Sequence, residues 1–203
     1  MIRNIVFDCG GVIADVKYMD LLRKYKPNPI EMARLAVILA DGKEWSDWNK
    51  GLMTLDEMAD MLSERYPKYR DMLSRALKDD FLGYLEIDEG MRKTVASLKK
   101  SGYGIYLLAD IPMEFHQVFM QDEIYKFIDG GVFSYEEHVR KPDKSMYEKL
   151  CAKYKLVPGE CLFVDDNKKY LEPAKAMGMQ VVLFSKPQAA IKEIARKLEE
   201  SNG

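Results

Sequence analysis

The sequence predicts an α/β protein, a doubly wound parallel sheet interrupted near its start by an inserted helical segment. Three observations predict it. Five short β-rich runs, at 2–7, 104–108, 131–133, 161–164 and 180–184, are nearly all apolar, as strands covered on both faces must be. Helical stretches at about 90–100, 112–120, 144–154 and 170–177 alternate with the later runs, the spacing of parallel βαβ units. Residues 16–85 break that alternation and contain no convincing strand. The expected division is therefore a core of 1–15 with 86–203, and a helical cap of 16–85.

The first run, Ile5-Val6-Phe7, leads into Asp8-Cys9-Gly10-Gly11-Val12. Asp8 is thus expected at the carboxyl end of a first strand, where ligands gather in open α/β sheets. The glycines let the backbone pass close to a bound group. The insertion reads as three or four helices, separated by Lys26-Pro27-Asn28-Pro29, Asp41-Gly42 and Tyr66-Pro67. Thr54-Leu55-Asp56-Glu57 fits a capping box opening a helix with Met58, Met61 and Leu62 on one face. With twelve basic and twelve acidic residues the insertion has no charge bias. Placed directly after the Asp8 turn, it is expected to stand over that turn as a lid. Most of its Met and aromatic stripes read as its own core. Trp45-Ser46-Asp47-Trp48-Asn49-Lys50-Gly51 reads as a loop, with Trp45, Trp48 and Asn49 as candidates to face the site.

Composition excludes several classes. The 203 residues are 47% apolar and 32% charged, with a net charge of −2 and a pI near 5.8. That balance gives no reason to expect nucleic acid, and the basic residues between Lys192 and Lys197 read as a solvated helix face. The longest apolar run, 33–40, is too short for a bilayer and contains Arg34, so no membrane partner is expected. Three cysteines (Cys9, Cys151, Cys161) fit a reducing compartment, and the cytoplasm is the expected location. Cys9 reads as a buried small hydrophobe rather than a nucleophile. No repeat is present, and oligomeric state is not legible.

Four strand ends carry the chemistry. The first bears Asp8; the second, Leu107-Leu108-Ala109-Asp110, ends in a small residue and a carboxylate. Arg140-Lys141-Pro142-Asp143 follows the third, with Lys141 expected to open the next helix. The fourth ends in Asp165-Asp166-Asn167. If all meet at one sheet edge, Asp8, Asp165 and Asp166 face a single lysine and repel one another unless a further cation is present. Oxygen ligands of this kind suit Mg²⁺, and a metal-bound phosphate would complete the balance with Lys141 as a point charge.

This ordered set resembles the haloacid dehalogenase superfamily over nearly the whole chain, in its helical-cap branch of sugar-phosphate phosphatases such as glucose-1-phosphate phosphatase. The resemblance implies a Rossmann-like core and a Mg²⁺-dependent hydrolase of a small phosphorylated metabolite. Asp8 would accept the phosphoryl group as an aspartyl-phosphate, and Lys141 would orient Asp8 and balance charge. Mg²⁺ would sit on Asp8, the Gly10 carbonyl and Asp166, with Asp165 supporting it directly or through water. Ala109 and Asp110 would border the phosphate, and the cap would select the leaving group. The chain departs from the family pattern in four places. Gly10 stands where a general acid is common. Ala109 lacks the usual hydroxyl, a loss worth about 1.5–3 kcal/mol to a charged ligand, and Asp110 beside phosphate would add repulsion. Tyr170 occupies a frequent Asp or Asn position, and His138 a usual Gly. Two other readings stand beside the phosphatase: a dehalogenase, which Gly10 suits and the acidic pair opposes, and a non-enzymatic binding protein, which Ala109 and Asp110 suit.

Overall fold

The chain starts at the centre of its sheet and winds outward in both directions. The structure, a computed structural model, describes residues 1–25, 28–40 and 42–202. Its strands are β1 (Asn4–Phe7), β2 (Ala14–Val16), β3 (Leu85–Ile87), β4 (Gly104–Ala109), β5 (Gly130–Phe133), β6 (Cys161–Asp165) and β7 (Gln180–Leu183). Five form one parallel sheet in the order β5-β4-β1-β6-β7. Ile5, Val6 and Phe7 are fully buried, and so is every residue of β6, as the continuous apolar runs require. The protein has the α/β, Rossmann-like architecture that the alternation indicates. Connections leave β1 for β4 on one side and later return to β6 on the other, so the strand order switches beside Asp8.

The described helices are α1 (Tyr18–Lys24), α2 (Pro29–Ala40), α3 (Lys43–Asn49), α4 (Leu55–Arg65), α5 (Arg70–Arg75), α6 (Glu89–Lys100), α7 (Met113–Phe119), α8 (Ser134–Glu137), α9 (Lys144–Tyr154), α10 (Lys168–Ala176) and α11 (Pro187–Asn202). Between β2 and β3 the described residues hold five α-helices, a π-helical turn at Ala76–Asp80 and short 3₁₀ turns, more pieces than three or four. The helix breaks expected at Lys26, Pro27 and Asp41 lie outside the described residues. Strands β2 and β3 pair antiparallel, Ala14 with Ile87 and Val16 with Leu85, at the two ends of the helical stretch. Sequence reasoning misses both, because three residues with a charged middle show no measurable alternation.

Three local expectations change. Residues 43–49 form a helix instead of a loop: Lys43 pairs with Asp47 one turn on, Glu44 pairs with Arg65 of α4, and Gly51, at φ +66°, lets the chain turn away after it. Thr54 does cap α4 through the full capping box with Glu57. The buried stripe of α4 is Leu55, Met58, Ala59 and Leu62, while Met61 points to solvent, since 58 and 62 are one turn apart and 61 lies on the adjoining face. Lys141 does not open a helix. Asp143 caps α9, its carboxylate accepting the Ser145 N–H at 2.9 Å, and Lys141 lies in the turn before it.

The helical stretch shares one apolar core with the sheet side of the chain and is fixed to it by specific polar contacts. Glu114 of α7 accepts the Trp48 indole N–H and the Leu55 backbone N–H, both at 2.9 Å. A carboxylate at the first N–H groups of α4 also meets the positive end of that helix. Ser134 Oγ, fully buried, donates to the Asn49 carbonyl at 2.5 Å. A Cβ at Gly51 would lie 2.5 Å from the Tyr135 carbonyl oxygen, so only glycine allows this approach. We predict that Glu114→Ala lowers stability by about 1–3 kcal/mol, the worth of hydrogen bonds to a charged group. Urea melts followed by tryptophan fluorescence check this, with a smaller loss for Glu114→Gln, which keeps one acceptor.

Candidate active site

The register of β1 against β6 brings two carboxylates side by side. Phe7 lies opposite Val164, so the residues just beyond, Asp8 and Asp165, emerge at the same sheet edge. The Asp8 N–H continues the ladder by donating to the Val164 carbonyl at 2.9 Å. Both side chains leave water: Asp165 is fully buried and Asp8 nearly so. Lys141 reaches between them from the turn after α8, its Nζ 2.8 Å from Asp8 Oδ1 and 2.6 Å from Asp165 Oδ2. Its side chain has no exposed surface, and the rings of Tyr170 and Phe163 flank the ammonium at 5.1 and 5.7 Å.

Each carboxylate oxygen then has a distinct position. Asp8 Oδ1 accepts from Lys141 and from the Cys9 N–H at 2.7 Å, while Oδ2 has no hydrogen-bond partner among the described residues. Asp165 spends Oδ2 on Lys141 and Oδ1 on the Asn167 N–H at 2.8 Å. Asp166 is exposed. Gly11, at φ +75°, brings the backbone so close that a Cβ there would lie 2.6 Å from Asp166 Oδ2. A Cβ at Gly10 meets nothing within 4 Å, so the space beside Gly10 is open.

Burial pushes the Asp8 carboxyl up to about 8 against the pull of Lys141, and Asp165 adds to the rise. Burial, then Asp165, raises Asp166 too. Burial works against the Lys141 charge, yet Asp8, Asp165 and Asp110 together hold its pKa above the ordinary value. Three carboxylates and one ammonium leave an excess of negative charge that a hard cation fits. Oxygen atoms of Asp8, Asp165 and Asp166 all lie within 4.8 Å of one another, close enough to share one ion. Cys9 is fully buried and its thiol is pushed far up by burial and by Asp8, so it behaves as a small hydrophobe.

The second strand end makes contacts that its sequence does not show. Ala109 is fully buried in β4 and offers no donor. Asp110 does not stand as an isolated repulsive charge: its Oδ1 accepts the Lys141 backbone N–H at 3.0 Å, and its Oδ2 accepts from Arg140 Nε at 3.3 Å. Asp110 therefore fastens the turn that delivers Lys141. Arg140, which sequence reasoning passed over, lines a 430 Å³ pocket with Asp8, Gly10, Asp110, Asp166 and Tyr170. Its signal was adjacency to Lys141. His138 is exposed, outside this pocket, and bonds through Nδ1 to the Lys50 carbonyl at 2.8 Å.

Residues 2–178 match the haloacid dehalogenase-like hydrolase family. The chain belongs to that family. It is 25% identical over 182 residues to the sesquiterpene phosphatase astK of Aspergillus oryzae, covering 87% of each chain. It is 24% identical over 196 residues to the D-ribitol-5-phosphate phosphatase of Bacteroides thetaiotaomicron, covering 89% of this chain and 90% of that one. A haloacid dehalogenase-like family enzyme of B. thetaiotaomicron, solved with magnesium and inorganic phosphate, superposes with a TM-score of 0.69 at 19% identity over 91% of this chain and 95% of its own. Dehalogenases share the fold as well.

A second cavity, of about 180 Å³, adjoins the first among the described residues of this haloacid dehalogenase-like hydrolase. Gly10, Asp110 and Arg140 form its floor, and Tyr18, Trp45, Trp48, Asn49 and Phe115 are among its walls. Trp48 is 1% exposed with its indole N–H spent on Glu114, and the Asn49 amide donates to the Trp45 carbonyl at 2.9 Å. Trp45, half-buried, packs edge-on against Trp48 and Tyr18. We predict that Lys141→Met costs about 3–5 kcal/mol, because it leaves Asp8 and Asp165 buried without their cation. Thermal or urea unfolding measures it, and the double variant Lys141→Met with Asp165→Asn is expected to recover part of the loss.

Proposed function

We propose that the protein is a Mg²⁺-dependent phosphatase acting on a small phosphorylated metabolite of the sugar-phosphate class through an aspartyl-phosphate on Asp8. The observation that carries the reading is the arrangement of Asp8, with one oxygen held by Lys141 and the Cys9 N–H and the other without a protein partner. Held this way, Asp8 keeps an oxygen aimed for attack, and Lys141 balances charge on the incoming phosphoryl group. Asp8, Asp166 and the Gly10 carbonyl are the proposed metal ligands; both Asp165 oxygens are engaged by protein donors, which suits a supporting role. The ion would supply electrostatic stabilisation of the anionic oxygens. Lys141, Asp110 and the Asn167 N–H keep the donors in place, and Gly10 leaves protonation of the departing alkoxide to water.

Residues 16–85 form the proposed cap, and the 180 Å³ cavity beneath it is the proposed leaving-group room. Its volume suits an alcohol of a few carbons, and its Trp and Tyr faces suit stacking on a sugar or polyol with Asn49 and Asp15 as polar contacts. The two phosphatase relatives and the magnesium–phosphate structure support this reading. The retained acidic cluster favours it over dehalogenation. No described helix is long and apolar enough to cross a membrane, and the cytoplasm is the proposed location.

The test is a panel of phosphorylated metabolites assayed for phosphate release with Mg²⁺ and with excess EDTA. Hydrolysis of small sugar or polyol phosphates is expected, abolished by EDTA and in folded Asp8→Asn. Turnover that survives either treatment, or halide release from 2-haloacids without metal, contradicts it.

A further inference from the structure

A phosphoryl dianion in this pocket needs donors, and this chain has lost one of the usual kind at Ala109. Several of those that remain near Asp8 are spent. The Cys9 N–H is on Asp8, the Gly11 N–H is on the Ala14 carbonyl at 2.9 Å, and the Lys141 N–H is on Asp110. The Lys141 ammonium is wholly covered and already holds two carboxylates. Arg140 is different. Its side chain is 27% exposed, it lines both the Asp8 pocket and the adjoining cavity, and only its Nε–H is engaged among the described residues. The other four guanidinium N–H groups lie on the terminal nitrogens. Asp110 is 7% exposed in its side chain and grips Nε with one oxygen and the Lys141 turn with the other.

We propose that Arg140, oriented by Asp110, binds the non-bridging phosphoryl oxygens and replaces the hydroxyl donor missing at Ala109. The inference rests on the phosphatase reading and assigns to that site a residue that sequence motifs left out. It explains two departures at once. Ala109 can lack a hydroxyl because a guanidinium supplies the donors, and residue 110 is a carboxylate because its partner is a cation rather than the phosphate. Arg140 contacts the ligand in this scheme, whereas Asp110 is a positioning residue. A planar fork can hold a carboxylate through Nε and an oxyanion through its terminal nitrogens, which a lysine ammonium does not reproduce.

The test uses the full chain with Mg²⁺ and measures the Kd of inorganic phosphate by calorimetry, together with kcat and KM on one phosphomonoester that the wild type hydrolyses. Arg140→Gln is expected to weaken phosphate binding by roughly 10–100-fold and to lower kcat/KM at least as much, the loss expected for a hydrogen bond to a charged group. Arg140→Lys should fall between. Asp110→Asn should weaken phosphate binding in the wild-type background and change little more in Arg140→Gln, a coupling that a merely structural carboxylate would not give. Melting curves establish that the variants are folded, and Arg140→Lys decides the matter if Arg140→Gln is not. Unchanged phosphate affinity in a folded Arg140 variant overturns the inference alone, as does a variant that only alters preference among leaving groups. A wild type that neither binds phosphate nor hydrolyses any phosphomonoester overturns the phosphatase reading, and this inference with it. Tighter phosphate binding in Asp110→Asn overturns the pairing role given to Asp110.

Discussion

One buried ammonium holds the site together. Lys141 lies between Asp8 and Asp165, with no part of its side chain in water, and the ends of β1 and β6 meet at it. The parallel register of β1 and β6 sets the two carboxylates beside each other. Asp110 at the end of β4 fixes the turn that brings the lysine to them. Burying such charges is expensive, and replacing a buried ion trio with apolar residues of similar volume is often neutral or stabilising. A buried charged cluster at a sheet edge is the arrangement that functional sites favour, and the proposed chemistry uses it. The same bond that satisfies the lysine orients Asp8, leaving its second oxygen toward the pocket.

The room above this edge is built by packing that is just as specific. Trp48 is a structural wall, locked by Glu114, and Trp45 and Tyr18 lean on it. Glu114 and Ser134, which follow β3, fix residues of the helical stretch before it, so the shape of the 180 Å³ cavity depends on both parts of the chain. For the proposed selection of the leaving group, Trp45, half-buried, is the better candidate than Trp48, which is 1% exposed and locked by Glu114.

The sheet was legible because buried parallel strands leave continuous apolar runs, and Asp8, Asp110 and Asp165 could be placed from the ends of those runs. Asp166 followed as the neighbour of Asp165. The capping box at Thr54 was legible because it is a local exchange of hydrogen bonds. What escaped depends on contacts remote in sequence. Helix α3 looked like a loop because its stabilising partner, Arg65, lies on another helix. Strands β2 and β3 are too short to carry a period and form only against each other. Asp110 read as a repulsive charge because nothing local shows that Arg140, thirty residues on, stands beside it.

The most direct test is a single-turnover reaction with a small phosphoryl donor such as acetyl phosphate, acid-quenched and mapped by mass spectrometry. The proposed mechanism requires a transient phosphoryl adduct on the peptide containing Asp8, formed with Mg²⁺ present and absent from a folded Asp8→Asn chain. An adduct on another residue, or turnover of the donor with no adduct at Asp8 at any quench time, would contradict it.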